Sequence, residues 1–140
     1  MRELKFRAWD PASKVMYPVE AINFCGRKTV TVQYNPVKKF LMDNIRLMQY
    51  IGAKDKNGVE IYEGDIIHWD PVRPMDSYTP TYAKKKPLDD YIIRWNDAKC
   101  EFWAAPIELG HAYTNINQSD LSTNWKVIGN IYENPEEESK

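Results

Sequence analysis

The chain has 140 residues, 43% hydrophobic and 13% aromatic, enough for a packed interior in one domain or in two small subdomains. Its nineteen Lys and Arg against twenty Asp and Glu leave a formal net charge of −1, which excludes whole-molecule steering towards polyanions and makes any basic surface a local one. No stretch approaches the length of an apolar membrane span and Met1 to Lys5 lack an apolar leader core, so a soluble protein of the cytoplasm is expected, with no membrane partner.

Nine prolines and few runs of helix formers favour short strands and loops. In chain order, Lys5 to Trp9 alternates charge with bulk and predicts a half-buried strand with Phe6 inward. Asp10-Pro11-Ala12-Ser13-Lys14 is a turn, Val15 to Tyr17 the answering strand, and Pro18 its expected end. Ala21 to Phe24 predicts a third strand and Thr29 to Tyr34 a fourth, with Val30 and Val32 on one face. Asn35-Pro36 has the residues for a helix cap and first turn, with Val37, Phe40 and Leu41 at helical spacing. Ile45 to Tyr50 returns to a strand. Cys25 and Cys100 have no metal-type spacing and are expected as small buried hydrophobes in a reducing compartment.

The stretch from Gln49 to Ile67 is the hinge of the chain. It holds Gly52, Gly58 and Gly64, and Asn57-Gly58 is a strong tight-turn signal. Strands are predicted from Val59 to Tyr62 and from Asp65 to Trp69. Pro71, Pro74, Pro80 and Pro87 exclude a central strand between Asp70 and Asp90 and predict a long loop. Tyr91 to Trp95, a turn over Asn96 to Lys99, and Cys100 to Ala104 make a hairpin. Pro106 to Leu109 is irregular, and His111 to Thr123 is a polar loop with a turn at Ser119 to Leu121. The last strand runs from Trp125 to Tyr132, with Gly129-Asn130 marking a bulge. The expected architecture is mainly β, a β-rich α+β chain with at most short helices. An N-terminal β-meander (1–52) would pack against an SH3-like small barrel (53–135, with the 70–90 loop), followed by a flexible tail (136–140).

Lys5-Phe6-Arg7-Ala8-Trp9-Asp10 with Met16-Tyr17, then Met48 to Gly52, Asp55 to Gly58 and Glu60 to Ile66, and finally Val127 to Pro135 together resemble the YopX family, small proteins encoded by phages and prophages. The motifs occur in order over nearly the whole chain. The 70–90 segment is longer and richer in proline than the family pattern, so nothing is carried over there. The resemblance implies a phage-encoded, largely β protein made in the bacterial host cytoplasm. It supplies no reaction and no catalytic residue.

Residue chemistry gives three readings. Asp55-x-Asn57-Gly58 invites calcium, but aligning Gly58 with an EF-hand glycine puts Ala53 and Gly64 at the first and twelfth ligand positions, so the motif is read as a turn. Glu60, Glu63 and Asp65 form a carboxylate group of the type that holds Mg²⁺. On a strand, however, Glu60 and Glu63 face oppositely, and Asp65 is expected to bind backbone amides instead. His68 and His111 have no adjacent nucleophile in sequence, and His68 is expected half-exposed on its strand. No catalytic, cofactor-binding or metal-ligating residue is therefore assigned. The candidate interaction surface comprises Tyr78, Tyr82, Lys84, Lys85, Lys86 and Tyr91, together with exposed aromatics of the barrel strands. The expected role is a non-enzymatic, self-associating interaction module whose partners are its own copies and an unidentified host or phage protein. The alternative is a nucleic-acid-binding regulator using the Tyr/Lys loop over 78–91, where rings and ammonium groups would meet bases and phosphates.

Overall fold

Alternation of period two, plain in the first third of the sequence, builds an antiparallel meander in the computed structural model, which describes residues 2–70, 90–107, 114–115 and 117–135. The chain divides into two units, Met1–Gly52 and Ala53–Lys140. The first contains β1 (Phe6–Asp10), β2 (Val15–Asn23), β3 (Thr29–Val32), β4 (Lys38–Leu41) and most of β5 (Arg46–Lys54), in the order β4-β3-β2-β1-β5. Pairing of Ala8 with Tyr17 and Leu47, of Val19 with Val32, and of Val30 with Phe40 puts these side chains on one face. There Ala8, Tyr17, Val30, Val32 and Ile45 form a buried cluster, with Val19, Phe40, Met42 and Leu47 against it. Val30 and Val32 share the buried face, as the alternation requires.

Several local expectations are corrected. Pro18 does not end β2, and the strand predicted from Ala21 to Phe24 is its continuation as far as Asn23. A register shift between Val19 and Ala21 bends the strand just after the proline, and the Pro18 carbonyl still accepts from Gln33 N at 2.8 Å. A bulge is where a strand tolerates a residue without an N–H. No helix follows Asn35-Pro36, whose peptide is cis. Instead β4 pairs with β3, which brings Phe40 onto the cluster and leaves Val37 exposed. Both cysteines are exposed rather than buried, because both belong to turns. Cys25 follows β2, and Cys100 closes the hairpin after Asn96 with φ of 55°, so the next strand starts at Glu101.

The second unit begins with the end of β5, beyond which the chain turns over Asp55 to Val59 into β6 (Glu60–Tyr62). Then follow β7 (Asp65–Trp69), β8 (Tyr91–Asn96), β9 (Glu101–Pro106), β10 (Thr114–Asn115), α1 (Gln118–Asn124) and β11 (Trp125–Asn130). Five of these strands form a sheet in the order β10-β9-β8-β7-β11, a linear order with β10 and β11 at its ends. Ile66, Ile92 and Ile107 form a cluster, with Ile131 against it. The register of β11 on β7 shifts between Val127 and Gly129, which is the predicted bulge. Where a polar loop was expected, α1 forms: Asn117 caps it by accepting from Ser119 N at 2.9 Å and Asp120 N at 3.3 Å, and Leu121 is buried. The chain is mainly β, as expected. Among the described residues no helix is long and apolar enough to cross a membrane.

Candidate interaction site

The hinge residues are held by carboxylates whose oxygens are spent on backbone amides. Asp55, buried, accepts from Asn57 N at 2.8 Å and Val59 N at 2.9 Å through one oxygen, and from Val127 N at 2.9 Å through the other. Gly58 completes the turn with φ of 81°. Asp55 is thus a structural anchor, consistent with reading Asp55-x-Asn57-Gly58 as a turn. Asp65, also buried, accepts from Tyr62 N at 2.8 Å, the amide bond expected of it where the strand begins.

The neighbouring carboxylates diverge. Glu60 accepts from the Tyr62 hydroxyl at 3.2 Å. Burial pushes Glu63 above the usual carboxylate range, against the opposing pull of the Arg94 charge. Among the described residues no three His, Cys, Asp or Glu side chains converge as a metal site.

A polar group the sequence reading missed surrounds the two ends of the 71–89 stretch. His68 Nδ1 lies 2.6 Å from Asp90 Oδ1, and the His68 ring is partly exposed, as expected. Lys56 Nζ donates to the Asp70 carbonyl at 2.8 Å and to its carboxylate at 3.0 Å, with Lys126 Nζ at 3.7 Å. The Lys56 hydrogen bond holds the Asp70 carboxyl below its ordinary range. Asp70 N in turn donates to Asn124 O at 2.7 Å. These partners are far apart in sequence, and no local spacing signals them.

Of the predicted surface residues, Tyr78, Tyr82, Lys84, Lys85 and Lys86 lie outside the described residues. Tyr91 is buried, with 8% of its surface exposed: its ring meets Trp125 edge-on at 5.5 Å, so it belongs to the interior and presents no free face. Trp125 is buried too, packed edge-on against Trp69 at 5.2 Å, and its Nε1 donates to Asp120 at 2.8 Å. That bond links the first turn of α1 to β11.

In the C-terminal unit Trp95 faces solvent, 44% exposed near the tip of the β8–β9 hairpin. It is paired in register with Phe102 and meets it edge-to-face at 5.0 Å. The hairpin beneath is closed by Asn96, whose side chain accepts from Ala98 N at 3.1 Å and Lys99 N at 3.4 Å. The pair therefore sits on a firmly closed turn, an apolar projection of the kind that anchors protein contacts. The SH3-like barrel expected for this unit is not seen as a closed barrel: its sheet has the linear order β10-β9-β8-β7-β11, and Trp95 lies on β8 within it.

The strand topology defines a small, mainly β protein built on two antiparallel sheets. The family model described as YopX protein matches residues 5–137, and the chain belongs to the YopX family. Among solved structures it is similar to protein EF1440 from Enterococcus faecalis, with 26% identity over 97% of this chain and 98% of that one and a TM-score of 0.61. A search of the curated proteins finds no match.

Proposed function

We propose that the chain is a phage- or prophage-encoded accessory protein of the host cytoplasm that acts without catalysis, as a self-associating interaction module. Membership of the YopX family supports the phage assignment through the resemblance described above. The observation that carries the contact role is the Trp95–Phe102 pair, a large apolar projection on a closed hairpin. Leaving an indole partly in water forgoes hydrophobic stabilisation that a partner surface would supply. A second copy of the same chain is the simplest such partner.

Sedimentation velocity of the parent and of Trp95→Lys across a concentration series tests this reading. The parent is expected to assemble as concentration rises, and the variant to remain monomeric with unchanged circular dichroism. A parent that stays monomeric at high micromolar concentration would contradict the proposal.

A further inference from the structure

The formal charge of −1 conceals a strong segregation. Residues 1–52 carry nine Lys and Arg against four Asp and Glu, a formal +5, while residues 53–140 carry ten against sixteen, a formal −6. Two of the four acids in the first unit are already engaged. Glu3 pairs with Lys5 at 3.3 Å, and Asp10 accepts from Ala12 N at 3.1 Å and from the Ser13 hydroxyl at 2.6 Å. Lys14, Arg27, Lys28, Lys38, Lys39 and Arg46 are all exposed.

The cations are not evenly spread over the sheet. Lys38 and Lys39 open β4, the outermost strand of its sheet. Lys38 Nζ lies over one face of the Tyr34 ring, 4.3 Å from its centroid, which leaves the opposite face for stacking; Tyr34 is 49% exposed and braced edge-on by Tyr17 at 5.7 Å. At the other end of β4, Met42 N donates to Lys28 O, which sets the Arg27–Lys28 turn beside that end of the strand. Phe24 lies exposed at the start of the same turn. A sheet edge with cations at both ends and an exposed ring at each suits a strand of alternating phosphates and bases.

We infer that the edge formed by β4, Tyr34 and the Arg27–Lys28 turn binds single-stranded nucleic acid, with Tyr34 stacking a base and Lys38 and Lys39 contacting phosphates. This binding is independent of the self-association proposed above, since it uses residues of the N-terminal unit alone. An acidic protein surface is the competing occupant. It would match the cations but have no use for the exposed rings.

The test is fluorescence anisotropy of the full chain with a labelled single-stranded oligothymidine, titrated at several salt concentrations. Three variants are compared with the parent: Lys38→Gln/Lys39→Gln, Tyr34→Leu, and Lys84→Gln/Lys85→Gln/Lys86→Gln. The edge lysine variant is expected to bind about tenfold more weakly at low salt and to lower the salt slope by about one. Tyr34→Leu should weaken binding about tenfold with the slope unchanged. The 84–86 variant should bind as the parent does. No binding by the parent, or a loss confined to the 84–86 variant, overturns the inference. Displacement of the oligonucleotide by poly-glutamate at matched charge overturns it in favour of an acidic protein. Because Lys38 and Lys39 are exposed, their substitution leaves the fold intact, and the sedimentation experiment on Trp95 reads the other proposal separately.

Discussion

In the N-terminal unit turn-closing side chains reach two or three residues along the chain: Asp10 holds Ala12 and Ser13, and Asn23 holds Cys25 N at 2.9 Å. In the C-terminal unit Asp55 holds its own turn and also reaches Val127, 72 residues further along, while Lys56 reaches Asp70. The second unit closes turns locally as well, at Asn96 and Asn117, but adds polar groups that reach far along the chain. The difference separates what local sequence can encode from what only the folded chain can assemble. It also predicts that equivalent turn substitutions will have unequal effects.

The largest effect belongs to Asp55→Ala. Removing a buried carboxylate that satisfies three amides should lower unfolding stability by about 3–4 kcal/mol, because the orphaned N–H groups stay buried. Urea denaturation measures it, and Asp55→Asn, which keeps one acceptor oxygen, should fall between parent and alanine. A loss no greater than that of Asp10→Ala would erase the distinction between the units.

Gly58→Val comes next, at about 1–2 kcal/mol, since a β-branched residue is strained at positive φ. A Cβ at Gly58 would meet nothing within 4 Å, so the whole cost is in the backbone. Thermal melting of Gly58→Asn, which tolerates that conformation, should recover most of it.

Asp10→Ala should cost about 1 kcal/mol at neutral pH, the loss of a local capping carboxylate. The Ser13 hydrogen bond lowers the Asp10 carboxyl below its ordinary value. Its contribution is therefore full above the unfolded value and disappears as pH falls through the folded one. The difference between parent and variant should begin to shrink as pH falls below about 4 and close only below the lowered folded value, as read by denaturation at a series of pH values.

Glu63→Gln sharpens the comparison from the other side, with the smallest effect. Burial raises the Glu63 carboxyl, so ionisation works against the fold. The group favours the folded state below its unfolded value, and that benefit is lost as pH rises through the folded one. The variant should melt slightly above the parent at pH 7, with the gain vanishing in acid. A variant that melts lower at pH 7 would mean that the Arg94 attraction outweighs burial.

What could be read from the sequence follows the same division. The alternation of Val30 and Val32, the Asn57–Gly58 turn, the amide-binding role of Asp65 and the bulge near Gly129 are properties of a few adjacent residues, and each appears in the structure. The failures arise where tertiary contacts decide. Helical spacing at Val37, Phe40 and Leu41 lost to strand pairing with β3. The cysteines followed their turns to the surface against their usual burial. Tyr91, placed on a surface by its nearness to the lysine run, follows β8 into the interior. The Lys56–Asp70–Lys126 and His68–Asp90 pairs join strands whose neighbours no short pattern could name.

The central claim is that the Trp95–Phe102 hairpin of the C-terminal unit is a contact surface between copies of the chain. Hydrogen exchange at low and high protein concentration tests it most directly, because burial against a partner slows exchange where the contact forms. The account predicts protection at β8 and β9 that grows with concentration and is absent in Trp95→Lys. Exchange independent of concentration, or protection that grows only in other strands, would contradict it.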